Sequence, residues 1–250
     1  MYQKKWMELK DYRYTIGYTY YNEPDLLRQQ ISLWEKYPDK IEIIVVDDGS
    51  GEFPAYDVLK DIKFNNGPDL QLYKVTEDLG FNSHGCRNLI ATVASSDNIL
   101  FLDIDCQLSP TDAVFLRRVI FKESALYKFH LWNFKSKKWT MYPGHHNCFL
   151  VNRNDFWLAG GYDESFTGYH KGDREFIARL YEVTKPHKIS QSFGITVVRG
   201  GRKIIIDESV DKTTYDDVNM VIKVPNRVPS DRELTGKITS KLNFSYIKLL

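Results

Sequence analysis

The chain reads as an α/β protein built on a mostly parallel sheet with helices on both faces. Three observations point there. Over the first hundred residues, β-branched and aromatic runs alternate with segments whose apolar residues recur at helical spacing, giving β-α-β-α-β-α-β. The run Ile41 to Val46 (IEIIVV) is almost uninterruptedly apolar, as in a strand covered on both faces. The polar clusters Asn22-Glu23, Asp47-Asp48 and Asp103-Ile104-Asp105 each follow a predicted strand directly, where ligands of parallel sheets bind.

The elements follow in order. Thr15 to Tyr21 (TIGYTYY) predicts a strand that stops at Asn22-Glu23-Pro24. A first-turn proline followed by Leu26, Leu27, Ile31, Leu33 and Trp34 predicts a helix from Pro24 to Lys36. The strand Ile41 to Val46 ends in the turn Asp47-Asp48-Gly49-Ser50. A helix over Ala55 to Phe64, a strand Leu70 to Val75, a helix Ser83 to Ala94 and a strand Asn98 to Leu102 come next. Beyond Pro110 the pattern predicts a helix through Phe121, strands or loops over Tyr127 to Tyr142, a short strand Phe149 to Val151 and a helix Asp173 to Val183. Arg199-Gly200-Gly201-Arg202, flanked by Gly194 to Val198 and Lys203 to Asp207, signals a hairpin. The expected organisation is one domain over 1–215, in two parts of about 12–110 and about 111–215, then a C-terminal extension over 216–250.

Composition narrows the function classes. With 250 residues, 42% hydrophobic and 27% charged, the chain can bury a sizeable core, and disorder and coiled coil are disfavoured. No apolar run approaches the ~18 residues of a membrane span, and no apolar block follows the N-terminal lysines, so a cytoplasmic protein is expected. Cys86, Cys106 and Cys148 are too few and too widely spaced for a disulfide framework or a zinc site. A net charge of +1 argues against a basic nucleic-acid coat protein. The charge is unevenly spread: Ile41 to Asp112 carries 13 acidic and 4 basic residues, and Ala113 to Arg153 carries 8 basic and 1 acidic. Solvated helix faces explain this, and so does an acidic half that holds a cation beside a basic stretch that meets an anion.

The sharpest local signal is Asp103-Ile104-Asp105. In an extended segment alternate residues point the same way, so both carboxylates can face one hard cation, Mg²⁺ or Mn²⁺, and Gln107 can add a carbonyl oxygen. A solvated turn is the plain alternative.

The order of motifs resembles the GT-A fold, family 2 glycosyltransferases. The residues that carry the likeness are Tyr20-Tyr21-Asn22-Glu23, Val45-Val46-Asp47-Asp48-Gly49-Ser50, Gly80-Phe81-Asn82 through Arg87-Asn88, and Leu102-Asp103-Ile104-Asp105. Gly160-Gly161-Tyr162-Asp163-Glu164-Ser165-Phe166 and Gly168 through Phe176 complete it, covering residues 15 to about 180. The resemblance implies a Rossmann-like sheet and a metal-dependent, inverting transfer of a sugar from a nucleotide-diphosphate donor, of the UDP- or GDP-sugar class, to an acceptor hydroxyl. It also implies roles. Thr19, Tyr21, Glu23, Asp47 and Asp48 would hold the nucleoside, Arg87 would lie near the diphosphate, and Asp103 and Asp105 would bind the metal and the donor. Asp173 would deprotonate the acceptor. The family's Glu-Asp pair reads Gly172-Asp173 here, which removes one carboxylate. His145 and His146 are candidates for a further metal ligand, with surface histidines as the plainer reading, and His170 is equally ambiguous. The absence of a Gln-x-x-Arg-Trp motif favours transfer of one or a few sugars over polymer synthesis.

Tyr127, Phe129, Trp132, Phe134, Trp139 and Tyr142, interleaved with Lys128, Lys135, Lys137 and Lys138, read either as a half-buried subdomain with snorkelling lysines or as an acceptor side. In the second case the acceptor is a glycan or other hydroxyl compound, with phosphorylated glycans, lipid phosphates and modified nucleic acids as anionic versions. Two rival readings stand beside the enzyme: a catalytically silent carbohydrate-binding or scaffold protein on the same fold, and a sugar-phosphate nucleotidyltransferase, which would need a Gly-rich N-terminal loop that Thr15 to Pro24 lacks.

Overall fold

The structure is a computed structural model and describes residues 12–80, 82–133, 138–140, 147–166, 172–188, 194–197, 242 and 244–250. Four strands, β1 (Tyr14–Tyr20), β2 (Ile41–Asp47), β3 (Asp69–Val75) and β4 (Asn98–Asp103), run parallel in the order β3-β2-β1-β4. All seven residues of β2 are buried, as its apolar run requires. Beyond β4 the sheet continues through β9 (Phe149–Asn152), antiparallel to β4, then β6 (Ala125–Lys128) and β10 (Lys185–Lys188). On the other edge β12 (Tyr246–Lys248) pairs antiparallel with β3, so the last residues, assigned to an extension, complete an eight-stranded mixed sheet.

Helices cover both faces. On one lie α1 (Pro24–Trp34), α2 (Ala55–Leu59) and α4 (Pro110–Leu116), whose Leu27, Ile31, Trp34, Leu59, Ala113 and Leu116 join one apolar cluster. On the other lie α3 (Ser83–Val93), α5 (Arg153–Leu158) and α6 (Gly172–Val183), with Leu89, Ile90, Phe156, Phe176 and Leu180 in a second. Each such leucine, isoleucine or phenylalanine side chain, fully buried, is worth ~1.5–3 kcal/mol. Helix α3 lies close against β1 because residue 17 is glycine: a Cβ there would come 2.4 Å from Ile90 Cγ2. Glu42, buried at the start of β2, accepts from Thr15 Oγ1 (2.6 Å), Gln71 Nε2 (2.6 Å), Ser95 N (2.8 Å) and Ser95 Oγ (2.7 Å). This carboxylate ties three strands and the end of α3 together at the amino edge, away from the site.

Several expected elements differ. Helix α2 stops at Leu59, its last buried residue, where Ile62 N bonds to Leu59 O in a tight turn. Helix α4 stops at Leu116 instead of Phe121: Val119 N turns back to Leu116 O, and the Phe121 ring meets Tyr127 edge-on at 5.6 Å. A second, four-stranded sheet has the order β5-β11-β7-β8, from β5 (Cys106–Leu108), β11 (Gly194–Val197), β7 (His130–Asn133) and β8 (Lys138–Thr140). Both edges of β11 are taken, by β5 and β7, and the return arm expected at Lys203 to Asp207 lies outside the described residues. Among the described residues no helix is long and apolar enough to cross a membrane.

Candidate active site

Strand register builds the site. Thr19 is level with Asp103 across β1 and β4, Tyr20 is level with Asp47 across β1 and β2, and Asp48 N bonds to Tyr20 O at 2.9 Å. The carboxyl ends of three parallel strands therefore deliver their polar residues to one edge, as the sequence pattern required.

The two adjacent aspartates after β2 do different work. Asp47 accepts from Ser50 N and Ala55 N, both at 2.8 Å, and so shapes the loop and the start of α2. Asp48 is buried, and its Oδ2 accepts from Asn82 N at 2.8 Å. Its Oδ1 is buried without a hydrogen-bond partner among the described residues. Desolvation raises its carboxyl to about 6, against the bonds from Asn82 and Cys86. Nearby, Tyr21 is exposed and donates to Asp78 Oδ2 at 2.9 Å, and Glu23 stands at the entry to α1, its carbonyl accepting from Leu27 N at 3.1 Å.

The centre of the site is an ionic bridge. Arg87, on α3 and 1% exposed, donates from Nη1 to Asp173 Oδ1 (2.8 Å) and from Nη2 to Asp103 Oδ1 (2.5 Å). A guanidinium is suited to this because its planar fork can hold two carboxylates at once. Desolvation works against its charge, but Asp173 first, then Tyr162 and Asp103, outweigh it and hold Arg87 protonated. Residues 86 positions apart are thereby joined at the start of α6. Asn147 Nδ2 donates to Asp103 Oδ2 at 2.8 Å, so both oxygens of Asp103 are engaged.

Asp103 and Asp105 do not lie on one extended segment. Strand β4 ends at Asp103, and Ile104 and Asp105 form a turn into β5. The turn is fixed from beneath by Gln30 of α1, whose Nε2 donates to Ile104 O (2.8 Å) and Cys106 O (2.9 Å). Cys106 and Cys148 are buried thiols with sulfurs 3.3 Å apart. Gln107 lies on β5, level with Thr196 of β11.

The donor chemistry fits a hard divalent cation of the open kind, which a protein holds through one or two carboxylates while phosphate and water supply the rest. Asp105 offers hard carboxylate oxygen at the turn, two residues after Asp103, whose oxygens are held by Arg87 and Asn147. Among the described residues no group of three His, Cys, Asp or Glu forms a closed metal cage. His145, His146 and His170 lie outside the described residues.

Position 172, where the sequence has glycine, is closely packed. A Cβ on Gly172 would lie 2.6 Å from His84 Nε2, so the buried His84 ring occupies the space beside the backbone just before Asp173. Tyr162 and Phe166 flank that ring, at 5.5 and 6.2 Å between centroids. The aromatic-basic stretch also divides: Tyr127 and Phe129 are core residues, while Lys128 does not snorkel, its Nζ being buried. The side chains of Trp132, Phe134, Lys135, Lys137, Lys138, Trp139 and Tyr142 lie outside those described.

A family model described as "Glycosyl transferase family 2" matches residues 15–176. The chain belongs to this family. Its central sheet is the GT-A, Rossmann-like sheet, and solved structures share it. S. aureus TarS 1-349 in complex with UDP-GlcNAc aligns with a TM-score of 0.61 at 13% identity, over 76% of this chain and 59% of that one. The mannosyltransferase PcManGT from Pyrobaculum calidifontis, in complex with GDP-Man and Mn²⁺, gives 0.56 at 16% identity, over 76% and 58%. GalNAc-T7 with UDP, GalNAc and Mn²⁺ gives 0.55 at 13% identity, over 74% and 43%. The chain thus spans at most about 60% of the length of these structures. No curated protein sequence matches this chain.

Gln30, Asp78, His84 and Asn147 join the site or its supports without having been singled out for those roles by the sequence. Gln30 had a readable signal, a polar residue on the buried face of α1 between Leu27 and Ile31. Asn147 had none.

Proposed function

We propose that this family 2 member is a metal-dependent, inverting, non-processive hexosyltransferase that uses a UDP- or GDP-sugar. The observation that carries the reading is the Arg87 bridge, which joins the Asp103 turn to Asp173 at the edge where Thr19 and Asp48 also end. The similarity to TarS with UDP-GlcNAc and PcManGT with GDP-Man and Mn²⁺ supports the donor class.

Each residue then has a task. Asp48 Oδ1, a buried acceptor, receives a ring N–H of the nucleobase, a donor that uracil and guanine both carry. Thr19, Tyr21 and Glu23 border the nucleoside, and Asp47 holds the loop in place. Arg87 lies where the diphosphate gathers charge. Asp105, with Asp103 nearby in the chain, would hold a divalent cation, which would supply Lewis-acid stabilisation of the leaving diphosphate. Asp173 takes the acceptor proton as the hydroxyl attacks the anomeric carbon, and the carbon–oxygen bond to the diphosphate breaks on the opposite side. One displacement inverts the anomeric configuration, and no covalent enzyme intermediate forms. The acceptor is a hydroxyl compound, and the basic stretch from Ala113 to Arg153 favours an anionic one.

The test is a thermal-shift panel of nucleotide diphosphates and nucleotide sugars with and without Mn²⁺. A ligand at a hundredfold excess over its dissociation constant adds ~2.7 kcal/mol. One nucleotide class should stabilise the chain more strongly with metal, and Asp105→Ala should remove the metal-dependent part. Equal shifts with and without Mn²⁺ for every nucleotide would remove the metal assignment. A panel with no shift at all would favour a silent protein on the same fold.

A further inference from the structure

The C-terminal segment from Phe244 to Leu250 meets the fold beside the loops that end in Tyr21 and Asp48. Strand β12 pairs with β3 in the register Tyr246 with Val75, Ile247 with Lys74 and Lys248 with Tyr73. Just before it, Ser245 O accepts from Thr76 N at 3.0 Å and from Thr76 Oγ1 at 3.2 Å. Thr76 directly follows β3, so the loop Glu77 to Gly80 leaves the sheet from a point that the C-terminal segment fixes. That loop supports the other two. A Cβ on Gly49 would lie 2.6 Å from Glu77 O and 2.8 Å from Asp78 Cα, and Tyr21 donates to Asp78 Oδ2 at 2.9 Å. Lys74, level with Ile247, reaches the loop after β2, donating from Nζ to Ser50 O at 3.2 Å.

Phe244 makes a second connection, to α3. A Cβ on Gly85 would lie 2.6 Å from Phe244 Cε1 and 2.6 Å from Asn82 Oδ1, so the edge of the ring and the Asn82 side chain share the space that residue 85 leaves open. Glycine is a poor helix former compared with alanine, and within α3 its missing methyl is what admits the ring. Phe244 is half-buried and packs on the apolar cluster that holds Leu89 and Ile90 of the same helix. Asn82 N in turn donates to Asp48 Oδ2 at 2.8 Å. The ring is therefore one contact removed from the buried aspartate.

We propose that Phe244 and β12 belong to the donor site. Phe244 is a positioning residue: by packing on Gly85 it holds Asn82, and through it Asp48, in place for the nucleoside, while β12 holds the loop against which Gly49 and Tyr21 rest. The proposal rests on Asp48 as the nucleoside acceptor. It gives donor binding a contribution from the far end of the chain, more than 160 residues after the loops it supports.

The experiment compares the full chain with Phe244→Ala and Phe244→Tyr, at a temperature well below the melting point of each. Titration calorimetry with UDP and with GDP, each with Mn²⁺, measures affinity, and amide hydrogen exchange followed by NMR measures the Asn82 N–H. In Phe244→Ala the nucleotide that binds the parent should bind at least about fivefold more weakly. The Asn82 amide should exchange faster by a similar factor, while the amide of Ile16, inside β1, keeps its parent rate. Phe244→Tyr keeps the ring edge on Gly85 and should restore both. If Phe244→Ala does not fold, Ile247→Pro takes its place: Ile247 is 46% exposed, so a proline there interrupts the β12 ladder opposite Lys74 without opening the core, and the same losses are expected. A lower melting temperature with unchanged nucleotide affinity overturns the proposal and leaves Phe244 a packing residue only. An unchanged Asn82 amide overturns it as well. A parent that binds neither nucleotide would instead sink the nucleoside reading of Asp48, and the Asn82 amide would then decide the packing link by itself, so the two failures are distinct.

Discussion

Asp48→Asn should stabilise the ligand-free protein, and the gain should depend on pH. In the folded chain Asp48 is 4% exposed, one of its oxygens has no hydrogen-bond partner, and burial raises it from 3.8 to about 6. The folded protein therefore holds this proton more tightly than the unfolded chain does, so the stability it contributes is complete below about pH 4 and is lost as pH rises through about 6. About two pH units at 1.36 kcal/mol each give roughly 3 kcal/mol between those limits. Asparagine has the same shape and no charge to desolvate. Urea unfolding of both proteins from pH 4 to pH 8 should give nearly equal stability at the acid end and an advantage to the variant, growing to about 2–3 kcal/mol, at pH 7 and above. In melting temperature that is about 2–4 °C for each kcal/mol in a chain of this size. A variant whose difference from the parent is constant across that range would refute the reasoning, since it would mean that Asp48 feels its burial no more when ionised than when neutral.

Arg87→Met leaves Asp103 and Asp173 without their shared cation. Breaking a buried ionic network in this way costs about 3–5 kcal/mol, and a loss under 1 kcal/mol by calorimetry would show that solvent reaches the bridge. Gly172→Ala should cost about 1–3 kcal/mol because its methyl meets the His84 ring, and His84→Ala should restore most of that loss in the double variant, read from a double-mutant cycle. Gln30→Leu orphans the Ile104 and Cys106 carbonyls; destabilisation by about 1–3 kcal/mol per acceptor and weaker Mn²⁺ binding in calorimetric titration are expected, with unchanged metal affinity arguing that the turn holds itself.

Much of the sheet and the outline of the site were legible in the chain because both depend on local pattern. The strand Ile41 to Asp47 announces itself by continuous apolar residues, and Asp48 and Asp103 follow strand ends that a parallel sheet must bring to one edge. What the pattern does not contain is the partner across space. Gln30 reaches carbonyls 74 and 76 residues away, and Asn147 reaches Asp103 across 44, contacts that sequence spacing does not encode. Local rules also failed where two of them competed: Asp103-Ile104-Asp105 satisfies strand alternation, yet a glutamine beneath it makes a turn the better-bonded path. Position 172 shows a third case, in which the sequence records a glycine and packing alone records the imidazole lying against it. Lys128 was legible in principle, since alternation between Tyr127 and Phe129 sends it to the opposite, also covered, face.

The strand at the far end of the sheet bears on how the molecule is made. Thr76 bonds through both its backbone N–H and its hydroxyl to Ser245 O, 169 residues later, and Leu249 N closes on Leu72 O. At about 5–20 residues per second a ribosome needs roughly 10–30 s to synthesise the intervening chain. Throughout that interval β3 presents a row of unpaired backbone groups to the cytosol of any expression host, the arrangement most prone to pairing with a neighbouring nascent chain. Yield of the native protein should therefore respond more to synthesis rate and chaperone supply than the stability of the finished sheet would suggest.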